Sequence, residues 1–167
     1  MTAPLLILAW GNESRGDDAL GPLFVQQLRQ RLLTDVLAQT EFLDDYQLQI
    51  EHALDMVGRQ QVLFVDASLS CQPPFEVTEL QAARDESFTT HSLSPQALLH
   101  IYQNLQGESP PPCTQLAIRG EAFELGEPPG QVALAHLEAA LCWALAAIES
   151  GPLVITLAKT PDVGLFP

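Results

Sequence analysis

The stretch LLILAWGNESRGDDALGP, residues 5–22, decides the architecture. Residues 5–9 are an unbroken apolar run, the pattern of a strand buried on both faces. The run breaks at Gly11-Asn12, crosses a short polar loop and reaches two adjacent acids, Asp17 and Asp18. A helix follows. Pro22 is tolerated only in a first turn, so the regular helix starts near residues 19–22 and runs to about residue 33. Strand, loop, acid, helix places charged side chains at the carboxyl edge of an α/β sheet, where ligands bind. The loop has neither G-x-G-x-x-G nor a Gly-Lys-Ser/Thr ending, so it is no phosphate cradle. Its acids repel phosphate and attract a cation.

The rest of the chain extends the pattern. Residues 41–48 predict a second strand, interrupted at Asp44-Asp45. Residues 51–57 predict a short helix stopped by Gly58. Residues 61–65 predict another fully buried strand ending at Asp66. Residues 75–80 alternate as an edge strand does. Ser94-Pro95 is an N-cap followed by proline at the first helical position. Residues 115–118 predict a strand, residues 130–148 the longest helix, and residues 153–157 a strand-like piece in a polar tail. This alternation predicts a three-layer α/β domain with a mostly parallel sheet.

At 167 residues and 47% apolar content, the chain reads as a single domain, 1–167, with a substantial core. A net charge of −14 argues against nucleic acid or an anionic membrane as partner. No run is read as long enough to span a membrane, and the N-terminus lacks a signal-peptide pattern, so a cytoplasmic location is expected. Cys71, Cys113 and Cys142 are too dispersed for a disulfide framework or a cysteine zinc site. Cys142 is expected in the core; Cys71 and Cys113 are expected in proline-containing loops.

Three polar residues fall just past strand-like segments: Asp18, Asp66 and His91. Strand ends of a parallel sheet share one edge, so these side chains can converge. Two carboxylates and an imidazole suit a borderline divalent metal with open positions for water or substrate. Each also has a purely structural role open to it. Asp17 or Asp18 can cap the helix and favour its dipole. Asp66 can close its strand with an Asx-turn. His91 can be a surface loop residue. There is no H-E-x-x-H and no G-x-S-x-G. If the chain is an enzyme, a metal with carboxylate ligands is the chemistry left.

The chain resembles the hydrogenase maturation proteases, which trim the C-terminus of the large subunit of nickel–iron hydrogenases. The resemblance rests on LLILAWGNESRGDDALGP, FLDDYQLQIEHALDM, QVLFVDAS, FTTHSLSPQALL and QLAIRGEAFELGEPP, and covers residues 5–149 in order. It implies a twisted five-stranded sheet flanked by helices. It places the family's metal ligands on Asp18, Asp66 and His91, the residues already selected by their strand-end positions, with Asp17 as a possible assistant. It implies a nickel-loaded large-subunit precursor as substrate, the nickel being brought by that substrate; the isolated chain, expected to be a monomer, then binds nickel or another divalent metal weakly. Many relatives carry a glycine-rich turn where this chain has residues 44–49. The wording here is similar to the branch serving cytoplasmic NAD-reducing or hydrogen-sensing-like hydrogenases. Substrate choice is therefore expected in that segment and the adjoining helix, at Asp45, Gln47 and Gln49, with Tyr46 and Leu48 either contacting substrate or packing under the helix. The alternative to a peptidase is a checkpoint module that docks the nickel-loaded subunit without cutting it. The tail from residue 150 lies outside the resemblance.

Overall fold

A computed structural model describes residues 2–83 and 93–150. The strands are β1 (Leu5–Trp10), β2 (Thr40–Asp45), β3 (Gln61–Ser68), β4 (Phe75–Glu79) and β5 (Cys113–Arg119). They form one sheet in the order β2-β1-β3-β5-β4. All pairings are parallel except β4 against β5. The helices are α1 (Leu20–Arg31), α2 (Thr34–Leu37), α3 (His52–Asp55), α4 (Pro95–Gln106) and α5 (Gln131–Glu149). The architecture is the expected three-layer α/β one.

Alternation along the strands divides the core in two. Leu5, Ile7, Leu63, Val65, Leu116 and Ile118 face α1 and α5, where Phe24, Leu28, Leu137 and Leu141 close the layer. Leu6, Leu8, Val62 and Phe64 face α3 and α4, against Met56, Leu98, Leu99 and Tyr102. Both faces of β1 and β3 are buried, which is why their sequences do not alternate. The predicted cap of α4 forms: Ser94 Oγ accepts the Ala97 N–H at 3.1 Å, with Pro95 as the first helical residue.

Several elements differ from the sequence reading. β2 stops at Asp45, because the Asp45 carboxylate accepts the Tyr46 N–H at 2.6 Å and turns the chain. The helix expected over 51–57 is one α-turn, continued by a tighter turn from Val57 N–H to Leu54 O. β3 runs on to Ser68, so Asp66 lies inside the strand. α2, a single turn, has no periodicity by which to read it. Cys142 is exposed, because the inward stripe of α5 is Ala133, Leu137, Ala140, Leu141, Ala144 and Ile148. Cys113 opens β5 instead of sitting in a loop, and burial pushes its thiol up to about 12. Cys71 is also buried. Contrary to the sequence reading, among the described residues one helix is long and apolar enough, by length and composition, to cross a membrane: α5, with a mean hydropathy of 1.5. Here its inward stripe completes the core on one side of the sheet. The strand-like piece at 153–157 lies outside the described residues.

Candidate active site

The strand order reverses direction at β1. From it the chain crosses by way of α1 to β2 on one side, and β3 lies on the other. Such a switch point opens a crevice at the carboxyl ends of the two central strands. Ala9 pairs with Val65, the last β1–β3 pair, whereas β3 continues beside β5, with Asp66 opposite Ala117 and Ser68 opposite Arg119. Asp66 is therefore the first β3 residue past the end of its pairing with β1.

The chain leaving β1 must turn sharply into α1, and two glycines permit it. Gly11 has φ +151°, and a Cβ there would stand 2.0 Å from the Asp18 carbonyl oxygen. A Cβ on Gly21 would stand 2.5 Å from the Trp10 carbonyl oxygen. This folds the loop back on itself and brings Asp18, in a 3-10 turn over Gly16–Ala19, beside the strand end. The Asp18 carboxylate accepts the Asn12 N–H at 2.8 Å.

Asp18 and Asp66, both half-buried, come close enough for charge repulsion. Burial, with the Asp18 charge added to it, raises the Asp66 carboxyl to about 7, against the downward pull of its bonds from the Ala67 N–H and the Trp10 side chain. Trp10 is held in turn edge-on to Phe64, with ring centroids 6.1 Å apart. A cation between the two acids would relieve both the repulsion and the desolvation. His91 lies outside the described residues, in the segment leading to α4. Among the described residues no group of three His, Cys, Asp or Glu side chains is placed to hold a metal.

Asp17 caps a distant element instead of its own helix. Its side chain is buried, 2% exposed. Oδ2 accepts the N–H groups of Glu121 (2.7 Å) and Ala122 (3.0 Å), and Oδ1 accepts that of Gly130 (2.8 Å), the residue preceding α5. Burial alone would raise this carboxyl; the three amides and the nearby His136 outweigh it and hold it below its ordinary value. Backbone bonds from Gly16 to Glu127, Asp17 to Ala122 and Gly126 to Ser14 complete the junction. Sequence reading missed this role because the partners lie more than 100 residues away.

The segment after β2 flanks the same edge. Asp45 faces His52 Nε2 at 3.3 Å through one oxygen and accepts the Tyr46 N–H through the other. The Gln49 N–H donates to His52 Nδ1 at 2.8 Å, so His52 carries its proton on Nε2, toward Asp45. Leu48 is buried; Gln47 and Tyr46 are exposed. Tyr46 Oη accepts from Asn12 Nδ2 at 2.8 Å. An open cleft of about 480 Å³ is lined here by Asn12, Glu13, Ser14, Asp44, Asp45 and Tyr46, among others. Of the other histidines, His136 Nδ1 lies 2.9 Å from the Arg119 carbonyl and His100 lies beside Asn104 on α4.

The chain is therefore a small three-layer α/β protein with an acid pair at the switch point of a mostly parallel sheet. No family model and no curated protein sequence matches the chain. Solved structures do. The hydrogenase maturating endopeptidase HybD from E. coli superposes with a TM-score of 0.68 at 28% identity, covering 88% of this chain and 93% of that one. A solution structure of an endopeptidase from Escherichia coli gives 0.65 at 28% identity, with the same shares covered. The [NiFe] hydrogenase maturation protease HycI from Thermococcus kodakarensis shares the fold, with a TM-score of 0.65 at 19% identity over 89% of this chain and 94% of that one. Over most of its length the chain is thus similar, in fold and at 28% identity in sequence, to a hydrogenase maturation endopeptidase.

Proposed function

We propose that this protein is the endopeptidase that removes a C-terminal peptide from the nickel-loaded large-subunit precursor of a nickel–iron hydrogenase, of the cytoplasmic NAD-reducing or sensor-like type. The observation that carries the reading is the acid pair. Two carboxylates converge at the switch point, and burial and mutual repulsion push one of them up to about 7. Such a site is short of positive charge, and its oxygen donors fit a divalent cation. In this reading the cation is nickel held by the thiolates of the precursor, and Asp18, Asp66 and His91 are the protein's ligands to it. The bound metal supplies charge neutralisation and polarisation of a carbonyl or a water. Docking is then tight only for precursor that already carries nickel. Residues 44–49, with Asp45, Gln47 and Gln49, select among precursors, because the metal is common to all of them.

The test is cleavage of the nickel-loaded precursor by the purified protein. Alanine at Asp18, Asp66 or His91 is expected to lower the rate by about 10³-fold or more, the scale for losing a group that acts on the reacting centre. A wild-type protein that binds the loaded precursor and leaves it intact is instead a checkpoint module. With at most three protein ligands, metal affinity of the protein alone is weak, since tight structural sites supply four. Extensive chelation is therefore expected to leave the melting temperature unchanged; unfolding on chelation would identify a structural metal.

A further inference from the structure

Tyr46 presents a large ring to solvent while its position is fixed at both ends. It is 63% exposed. Its backbone N–H is held by the Asp45 carboxylate at 2.6 Å, and that carboxylate is itself braced by His52. Its hydroxyl is held by Asn12 Nδ2 at 2.8 Å. Asn12 has no freedom to turn its amide, because its Oδ1 accepts the Ser14 N–H at 2.9 Å. The backbone N–H of the same Asn12 holds Asp18 Oδ2 at 2.8 Å. One buried asparagine therefore ties the ring to an acid of the site. A tyrosine kept exposed and rigid offers contact area at little ordering cost, which is how aromatic residues act in recognition surfaces.

We propose that Tyr46 is a specificity-determining residue. Its ring forms a wall of the cleft beside the acid pair and packs on the segment of the large-subunit precursor next to the scissile bond, while the Asn12 link fixes its distance from Asp18. The proposal rests on the peptidase reading above and adds to it the residue that reads the polypeptide, as distinct from those that read the metal. Leu48, buried in the core, packs below the segment and takes no part. The carboxylates of Glu13, Asp44 and Asp45 share the cleft with the ring. The precursor residue seated there is therefore apolar or basic, since an acidic one would meet like charge.

The experiment compares wild-type protein with Tyr46→Ala and Tyr46→Phe on nickel-loaded precursor. Affinity is measured in the cold before turnover, and KM and kcat are measured for cleavage. Tyr46→Ala is expected to raise Kd and KM by about 10-fold or more, as for loss of an aromatic anchor. Tyr46→Phe, which loses only the Asn12 link, is expected to raise them by about 3-fold, the scale of one exposed hydrogen bond. kcat and the melting temperature stay near the wild-type values in both variants, which separates a recognition role from a structural one. Wild-type Kd, KM and kcat for Tyr46→Ala overturn the assignment, as does a KM rise that comes only with a fall in melting temperature. A wild-type protein that binds precursor without cutting it overturns the peptidase reading, and the Kd values then decide the role of Tyr46 on their own.

Discussion

Replacing Asp17 by alanine is expected to destabilise the fold by about 3 kcal/mol, because hydrogen bonds to a charged partner contribute roughly 1.5–3 kcal/mol each and are not additive. The carboxylate accepts three backbone N–H groups, from Glu121, Ala122 and Gly130. Without it, these donors must find water, and the junction between the loop after β1 and the loop before α5 keeps only its backbone bonds. In a domain of this size the loss corresponds to a fall in melting temperature of roughly 10 °C. Asn at this position keeps the shape but turns an amide N–H₂ toward an amide donor, so it recovers only part of the loss. Asp18 is the next residue, and processing should fall with the junction. Thermal melts of wild type, Asp17→Ala and Asp17→Asn measure the effect; wild-type melting in both variants would remove Asp17 from this role. Because its carboxyl lies below the ordinary value, its contribution is complete above the unfolded pKa and lost as pH falls through the folded one.

Asp66→Asn is expected to have the opposite effect on stability and to abolish processing. The folded Asp66 carboxyl titrates at about 7, against an ordinary 3.8. Below the ordinary value both states hold the proton, and the residue costs nothing. Between pH 4 and 7 the unfolded chain loses the proton while the folded chain keeps it, so stability falls as pH rises. Above 7 the full penalty applies. A shift of this size corresponds to about 4 kcal/mol at most, and solvent at a half-buried site with a coupled neighbour reduces it to about 2 kcal/mol. Asparagine removes the charge but has one acceptor oxygen where the carboxylate has two, which offsets part of the gain. The expected result is a metal-free variant that is more stable than wild type at pH 7.5, equal to it near pH 4, and inactive on precursor. Denaturant titrations at the two pH values decide it; a variant less stable than wild type at pH 7.5 would show that the Trp10 and Ala67 hydrogen bonds outweigh the repulsion.

Residues 5–22 set the strand, loop, acid and helix pattern, and its alternation along the rest of the chain made the three layers legible, because a strand buried on both faces and a helix leave different periodicities. The same physics made β3, α4 and α5 readable, and made Asp18 and Asp66 recognisable as strand-end acids. Strand-end position also picked out His91, which lies outside the described residues, and left a purely structural role open for each of the three; family likeness then implied that they are metal ligands. What local pattern cannot carry is contact between distant segments. Which of the two adjacent acids is structural depended on amides from residues 121–130 folding over Asp17, and no feature of the Asp17-Asp18 pair encodes that. The face of α5 that is buried left Cys142 outside, a choice made by its packing against α1 and β5 rather than by a helix apolar nearly all round. Tyr46 and Leu48 have similar apolar character and stand two residues apart. Only the tertiary structure separated them, because Asn12 offers a hydrogen-bond donor to a phenol and the core accepts a leucine.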